Sequence, residues 1–97
     1  MYASVQSATI QPGKVDEVIK FMRDAGLPKM KKLKGFKGLF VLTNRDTGKY
    51  LHISLWNTET DMTAAGTSGD RQEAVAKTAA LFVGPGTVEL YEVSIKG

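Results

Sequence analysis

Cysteine is absent from the 97 residues, so disulfides, thiol nucleophiles and thiolate-ligated metals are excluded at once. Histidine occurs once, as His52, too few for a multi-histidine metal site. No apolar run approaches the roughly 18 residues that would span a bilayer. The opening MYASVQSATI lacks the charged and apolar regions of a secretory signal, and the chain reads as cytoplasmic. Repeats, linkers and low-complexity tracts are missing too, and the length suits one domain, residues 1–97. A 42% hydrophobic share against 24% charged is the composition of a folded globular chain rather than a disordered one. Only about two thirds of the unfolded surface of so short a chain can be buried, so self-association would help it.

What is present centres on Gly35 to Trp56, GFKGLFVLTNRDTGKYLHISLW. Two runs rich in strand formers, Phe36 to Thr43 and Tyr50 to Trp56, flank the turn-forming Asn44 to Lys49, which predicts a β-hairpin. Gly48 is its natural left-handed residue. On the second strand Leu51, Ile53 and Leu55 share one face, and Tyr50, His52, Ser54 and Trp56 the other. Both faces carry bulk, which predicts a sheet covered on both sides.

Before the hairpin, Tyr2 to Ile10 predicts a strand that Gln11-Pro12-Gly13 ends. Val15, Val18, Ile19, Met22 and Ala25 then fall at helical spacing, with Asp16 and Glu17 early and Lys20 and Arg23 late, as the helix dipole favours. Gly26 and Pro28 are expected to interrupt this helix, with a short continuation over Lys29 to Leu33. After the hairpin, Thr58 and Asp61 form a capping-box pattern, and Gly66 to Gly69 divides the helical stretch. Ser68 or Asp70 caps the second part, whose inward side is expected at Val75, Ala79, Leu81 and Phe82. Gly84-Pro85-Gly86 stops it, and Val88 to Ile95 predicts the last strand. The order β-α-β-β-α-β is the ferredoxin-like α+β arrangement, with both helices on one face of a four-stranded antiparallel sheet. Its other face, carrying Leu51, Ile53 and Leu55, calls for a second copy of the sheet as cover.

GFKGLFVLTNRDTGKYLHISLWNTETDM and the closing GPGTVELYEV, joined by helices of suitable length, resemble the antibiotic biosynthesis monooxygenase family of the dimeric α/β-barrel superfamily. The resemblance spans nearly the whole chain. It implies a homodimer whose two sheets pair into a barrel, with a ligand cleft between helices and sheet in each subunit. In cofactor-independent members a Trp ends the third strand, an Asn stands four residues before it, and an Arg lies in the second helix. Trp56 matches the first position, His52 stands in place of the Asn, and Arg71 is the one Arg in the second helical region. The haem-degrading branch uses an axial His in that helix, and none is there.

The resemblance thus implies a monooxygenase-type oxidoreductase needing no cofactor and no metal, acting on a small aromatic metabolite of phenol or quinol type. His52 and Trp56 lie on one strand face about 13 Å apart, so an aromatic ring stacked on Trp56 can present its hydroxyl to His52 as base. The competing reading makes His52 a hydrogen-bonded interior residue and Trp56 core packing. Arg71 is a candidate contact for an oxyanion or carboxylate, or a surface residue paired with Asp70 or Glu73. Phe21, Met22, Phe40, Met62 and Phe82 are candidate substrate-binding walls, or simply core. Lysines 29, 31, 32, 34 and 37 form a basic run that fits a solvated helix end better than a nucleic-acid site, since aromatics scarcely interleave it. The alternative to catalysis is a dimer of the same fold that binds a small ligand or serves in a stress response.

Overall fold

A computed structural model describes residues 1–97. Strand β1 (Tyr2–Thr9) leads into helix α1 (Val15–Phe21), a π-helical turn (Met22–Gly26) and α2 (Leu27–Met30). The hairpin follows as β2 (Phe36–Thr43) and β3 (Lys49–Trp56), then α3 (Glu59–Gly66), α4 (Gly69–Thr78), a 3-10 turn (Ala79–Leu81) and β4 (Thr87–Glu92). The four strands form one antiparallel sheet in the order β2-β3-β1-β4, the ferredoxin-like topology expected from the sequence. No helix is long and apolar enough to cross a membrane.

The hairpin turn closes as its residues dictate. Asn44 Oδ1 accepts from the Asp46 and Thr47 N–H groups at 3.0 and 3.3 Å, and Gly48 sits at φ 75°. Its carbonyl accepts from Ile10 N–H at 2.7 Å, tying the turn to the end of β1. The helix caps are also those expected: Thr58 Oγ1 accepts from Asp61 N–H at 3.1 Å, and Ser68 Oγ from Arg71 N–H at 3.2 Å.

Pro28 modifies the first helix without stopping it. In a regular α-helix its ring would strike the carbonyl of Asp24 and leave that carbonyl without a donor. The chain instead widens into the π turn, where Leu27 N–H donates to Met22 C=O, and Gly26 and Leu27 both keep right-handed helical dihedrals. A Cβ on Gly26 would lie 2.7 Å from Met22 Cε, so the flexible end of Met22 rests in the space that glycine leaves. The expected interruption at Gly26 and Pro28 is therefore a change of helix type.

A β-bulge decides what β2 shows to each side. Phe36 lies opposite Trp56, but the register slips between Phe36 and Gly38, so Gly38 faces Leu55, Phe40 faces Ile53 and Val41 faces His52. One extra residue reverses the alternation. The helix-facing side is thus Phe36, Leu39 and Val41. Phe40, 57% exposed, stands on the opposite side with Leu42, Leu51, Ile53, Leu55 and Val5.

On the helix side Ile10, Val15, Val18 and Tyr50 form the buried cluster, with Ile19, Met22, Val41, Leu81 and Phe82 packed against it. This core occupies only one end of the sheet. Helix α4 buries no residue; of the expected inward residues Leu81 and Phe82, just beyond it, pack on the core, whereas Ala79 is exposed and Val75 is 50% exposed, and within the helix Arg71, Ala74 and Thr78 are the more shielded side. Small residues there cannot reach the sheet. β4 ends at Glu92, short of the expected Ile95, which is fully in solvent.

Gly48→Ala forces a left-handed φ on an L-residue and sets its Cβ 2.8 Å from Ile10 O. A loss of about 2 kcal/mol is expected in urea unfolding; an unchanged midpoint would refute this turn geometry.

Candidate functional site

The space beneath α4 is a cavity of about 860 Å³, within the range of small-molecule sites. It exists because small and polar side chains face one another across it. Ser4, Gln6, Ala8 and Ser54 rise from the sheet, and Ala65, Gly66, Ser68, Ala74 and Thr78 come down from the helices. None is large enough to fill the gap. Phe21, Met22, Met30, Leu33, Met62 and Phe82 supply apolar walls.

The floor is the inward face of β3: Tyr50, His52, Ser54 and Trp56. Trp56 is 2% exposed, and its Nε1–H donates to Ser54 Oγ at 2.9 Å. Phe36 meets the indole edge-on at 5.6 Å between centroids. The indole's one polar atom is thereby satisfied inside the protein, and the little of the ring that is exposed faces the cavity.

His52 is 6% exposed, and its Nδ1 has no hydrogen-bond partner. Burial lowers its pKa from 6.5 to about 4, against an opposing pull from its own backbone, and the positive charge of Arg71 adds a smaller push downward. At neutral pH it is an uncharged imidazole. Tyr50 meets Phe82 edge-on at 5.1 Å between centroids and stands 6.3 Å from the His52 ring. Burial pushes the Tyr50 phenol up, with Arg71 pulling partly in the other direction. Arg71 lines the cavity and belongs to no ion pair. The acid expected to hold it, Glu73, is engaged by Lys29 at 3.3 Å and Lys77 at 2.6 Å.

Seven of the eight residues singled out in the sequence therefore meet at one cavity: His52, Trp56, Arg71, Phe21, Met22, Met62 and Phe82. Phe40 does not, because the bulge turns it to the outer face. Alternation along β3 already placed Tyr50 and Ser54 beside His52 and Trp56, and their roles follow from that parity. Gln6 was not foreseeable, since it reaches His52 only through the β1–β3 register. No group of three or more His, Asp and Glu side chains is placed to hold a metal ion.

Comparison with known proteins agrees with the fold. The family profile described as "Antibiotic biosynthesis monooxygenase" matches residues 1–77. An uncharacterized protein of Mycobacterium tuberculosis is 30% identical over 96 residues, covering 98% of this chain and 39% of its own length. The chain thus spans well under half of that curated relative. A solved protein of unknown function from Nitrosomonas europaea superposes with a TM-score of 0.82 at 19% identity, over 99% of this chain and 91% of that one. A crystal structure of an antibiotic biosynthesis monooxygenase superposes at 0.78 with 17% identity, over 98% of this chain and all of its own. At such identities these two establish the fold.

The buried imidazole makes stability depend on pH. With the folded pKa near 4 and the unfolded value 6.5, the unfolded chain binds the extra proton between them. Stability is then full above about pH 6.5 and falls on acidification toward pH 4, by on the order of 3 kcal/mol. Chemical unfolding from pH 7.5 to 4 should show this slope, and His52→Gln should flatten it. An NMR titration of the single histidine giving a pKa near 6.5 would contradict the assignment.

Proposed function

The chain belongs to the antibiotic biosynthesis monooxygenase family, and from that premise we propose that it oxygenates a small phenolic or quinol-type aromatic in the cavity above β3. The observation that carries this reading is the unpartnered Nδ1 of buried, uncharged His52 on a floor of polar and aromatic side chains that ends in Trp56. A planar ring stacked on the indole brings its hydroxyl to His52, which can accept the proton because it arrives neutral.

The imidazole is a weak base when alone, so the proton transfer needs help. Arg71 supplies it, because a guanidinium that disfavours imidazolium favours the phenolate formed beside it. An electron-rich phenolate can pass an electron to O2, and the resulting pair couples at a ring carbon. Loss of water from the peroxide leaves a quinone. Phenol plus O2 gives quinone plus water, with the organic substrate supplying all four electrons. The protein's part is to bind, deprotonate and keep bulk water away.

A second reading is favoured by one feature. His52 stands where cofactor-independent relatives carry Asn and starts with a lowered pKa, which suits a dimer that binds aromatic ligands without turning them over. Oxygen uptake with a panel of dihydroxynaphthalenes, corrected for autoxidation, separates the two. The enzyme reading expects turnover that falls about 100-fold in His52→Ala and a raised KM in Trp56→Ala. Quenching of the Trp56 fluorescence without oxygen uptake would leave the binding dimer.

We also propose that a second copy covers the outer face of the sheet. Phe40, Leu42, Leu51, Ile53 and Leu55 form an apolar surface there that nothing in the subunit buries, with Phe40 57% and Leu42 48% exposed. Phe40→Glu puts a charge at its centre without touching the internal cluster. Sedimentation should then show monomers with unchanged circular dichroism. A dimer surviving this substitution would place the contact elsewhere.

A further inference from the structure

We propose that α4 is a hinged lid over the cavity, with a closed packing in which Val75 seats on Val88 and Leu90 of β4. Such a lid governs access to the cavity whatever chemistry takes place inside it.

Three aliphatic side chains lead there. Val75, Val88 and Leu90 are each about half exposed, and all three line the same cavity. Val88 and Leu90 lie opposite Gln6 and Ser4 of β1, which floor the cavity, so both point to the helix side of the sheet. Glu73 is turned to α2, where Lys29 holds it at 3.3 Å. Two residues along an α-helix turn by about 200°, so Val75 points away from α2, and its place on the cavity wall sets it on the β4 side. Apolar groups thus face one another across the mouth of the cavity without covering one another.

The attachment of α4 permits the movement. No residue of the helix is buried. Beyond its C-terminal end the chain is fixed, because the Leu81 and Phe82 carbonyls accept from Gln11 and Val83 N–H donates to Thr9 C=O. At its N-terminal end the chain arrives from α3 through Gly66 to Gly69 and turns on Ser68, whose Oγ donates to Ala65 C=O and accepts from Arg71 N–H. Between these ends the Lys29–Glu73 pair is the single polar tie from α4 to another element, and both partners are exposed. A swing therefore loses no buried surface, and elements held this loosely are the ones that open and close locally. Closure over an empty cavity would leave a void that Ala74 and Thr78 are too small to fill, so the open form persists until a ligand supplies that surface. The helical spacing that turns Val75 inward is satisfied in the closed form.

Because the chain has no cysteine, the closed form can be trapped cleanly. Val75→Cys is combined with Leu90→Cys, and separately with Val88→Cys, and both variants are oxidised with glutathione disulfide. At least one pair should close into an intramolecular disulfide about tenfold faster than Ala76→Cys with Leu90→Cys, since Ala76 lies about 100° further round the helix. Trapping should shield Trp56, the single tryptophan, from quenching by acrylamide, and dithiothreitol should restore access. Trapping no faster than in the Ala76 pair overturns the lid, and so does a disulfide that leaves Trp56 equally quenched. Disulfides formed only between subunits overturn it as well and give these side chains to a second copy. No substrate enters the measurement, so a failure of the oxygenation reading is seen separately.

Discussion

The alternation of β3 is the constraint on which the rest of the molecule depends. Because successive side chains leave a strand on opposite sides, Tyr50, His52, Ser54 and Trp56 must all face the helices once Leu51, Ile53 and Leu55 face away. The strand lies inside the sheet, hydrogen-bonded on both edges, so it cannot slip to relieve a misplaced residue. One side therefore becomes a floor with polar and aromatic groups, and the other an apolar plane. Packing fills the floor at the Tyr50 end, where α1 and Phe82 close on it. Above His52, Ser54 and Trp56 the opposing residues are small, and space remains.

Within that space the electrostatics are one-sided. Burial holds His52 neutral and keeps Tyr50 protonated, while Arg71 keeps its charge without an acid beside it. Such a site is prepared for negative charge and resists positive charge. The ion pairs, among them Lys29 and Lys77 with Glu73 and Arg45 with Asp16, lie in solvent and contribute little to stability. The pairs at Glu73 engage an acid that could otherwise have met Arg71.

Much of this was legible in the sequence, and the exceptions share a cause. The strand order, hairpin turn and both helix caps follow from local chemistry, Asn44 and Gly48 in the turn and Thr58 and Ser68 at the caps, and alternation on β3 brings His52 and Trp56 to one face. Phe40 was misplaced because a bulge is an event between strands, invisible to a pattern read along one of them. The inward face of α4 was misjudged in a similar way. Apolar spacing there pointed to Val75, but a helix over a void is turned by its connections and neighbours, and shields Arg71, Ala74 and Thr78 instead. The lone charge of Arg71 was hidden as well, since adjacency to Asp70 and Glu73 suggested partners that the fold engages elsewhere or leaves in water.

The π turn at Met22–Gly26 gives the cavity wall a property of its own. A π turn holds one residue more than the α-helix around it, so the segments before and after it are out of phase by about 100°. Phe21 and Met22 line the cavity from one phase, and Met30 from the other. In a helix of uniform pitch Met30 would turn away from them around the axis. The shape of the binding space is thus set partly by residue count: lineages that lose or gain a residue between Met22 and Pro28 would rotate a whole wall at once, reshaping selectivity in a single step that substitution at the lining positions could reach only piecemeal.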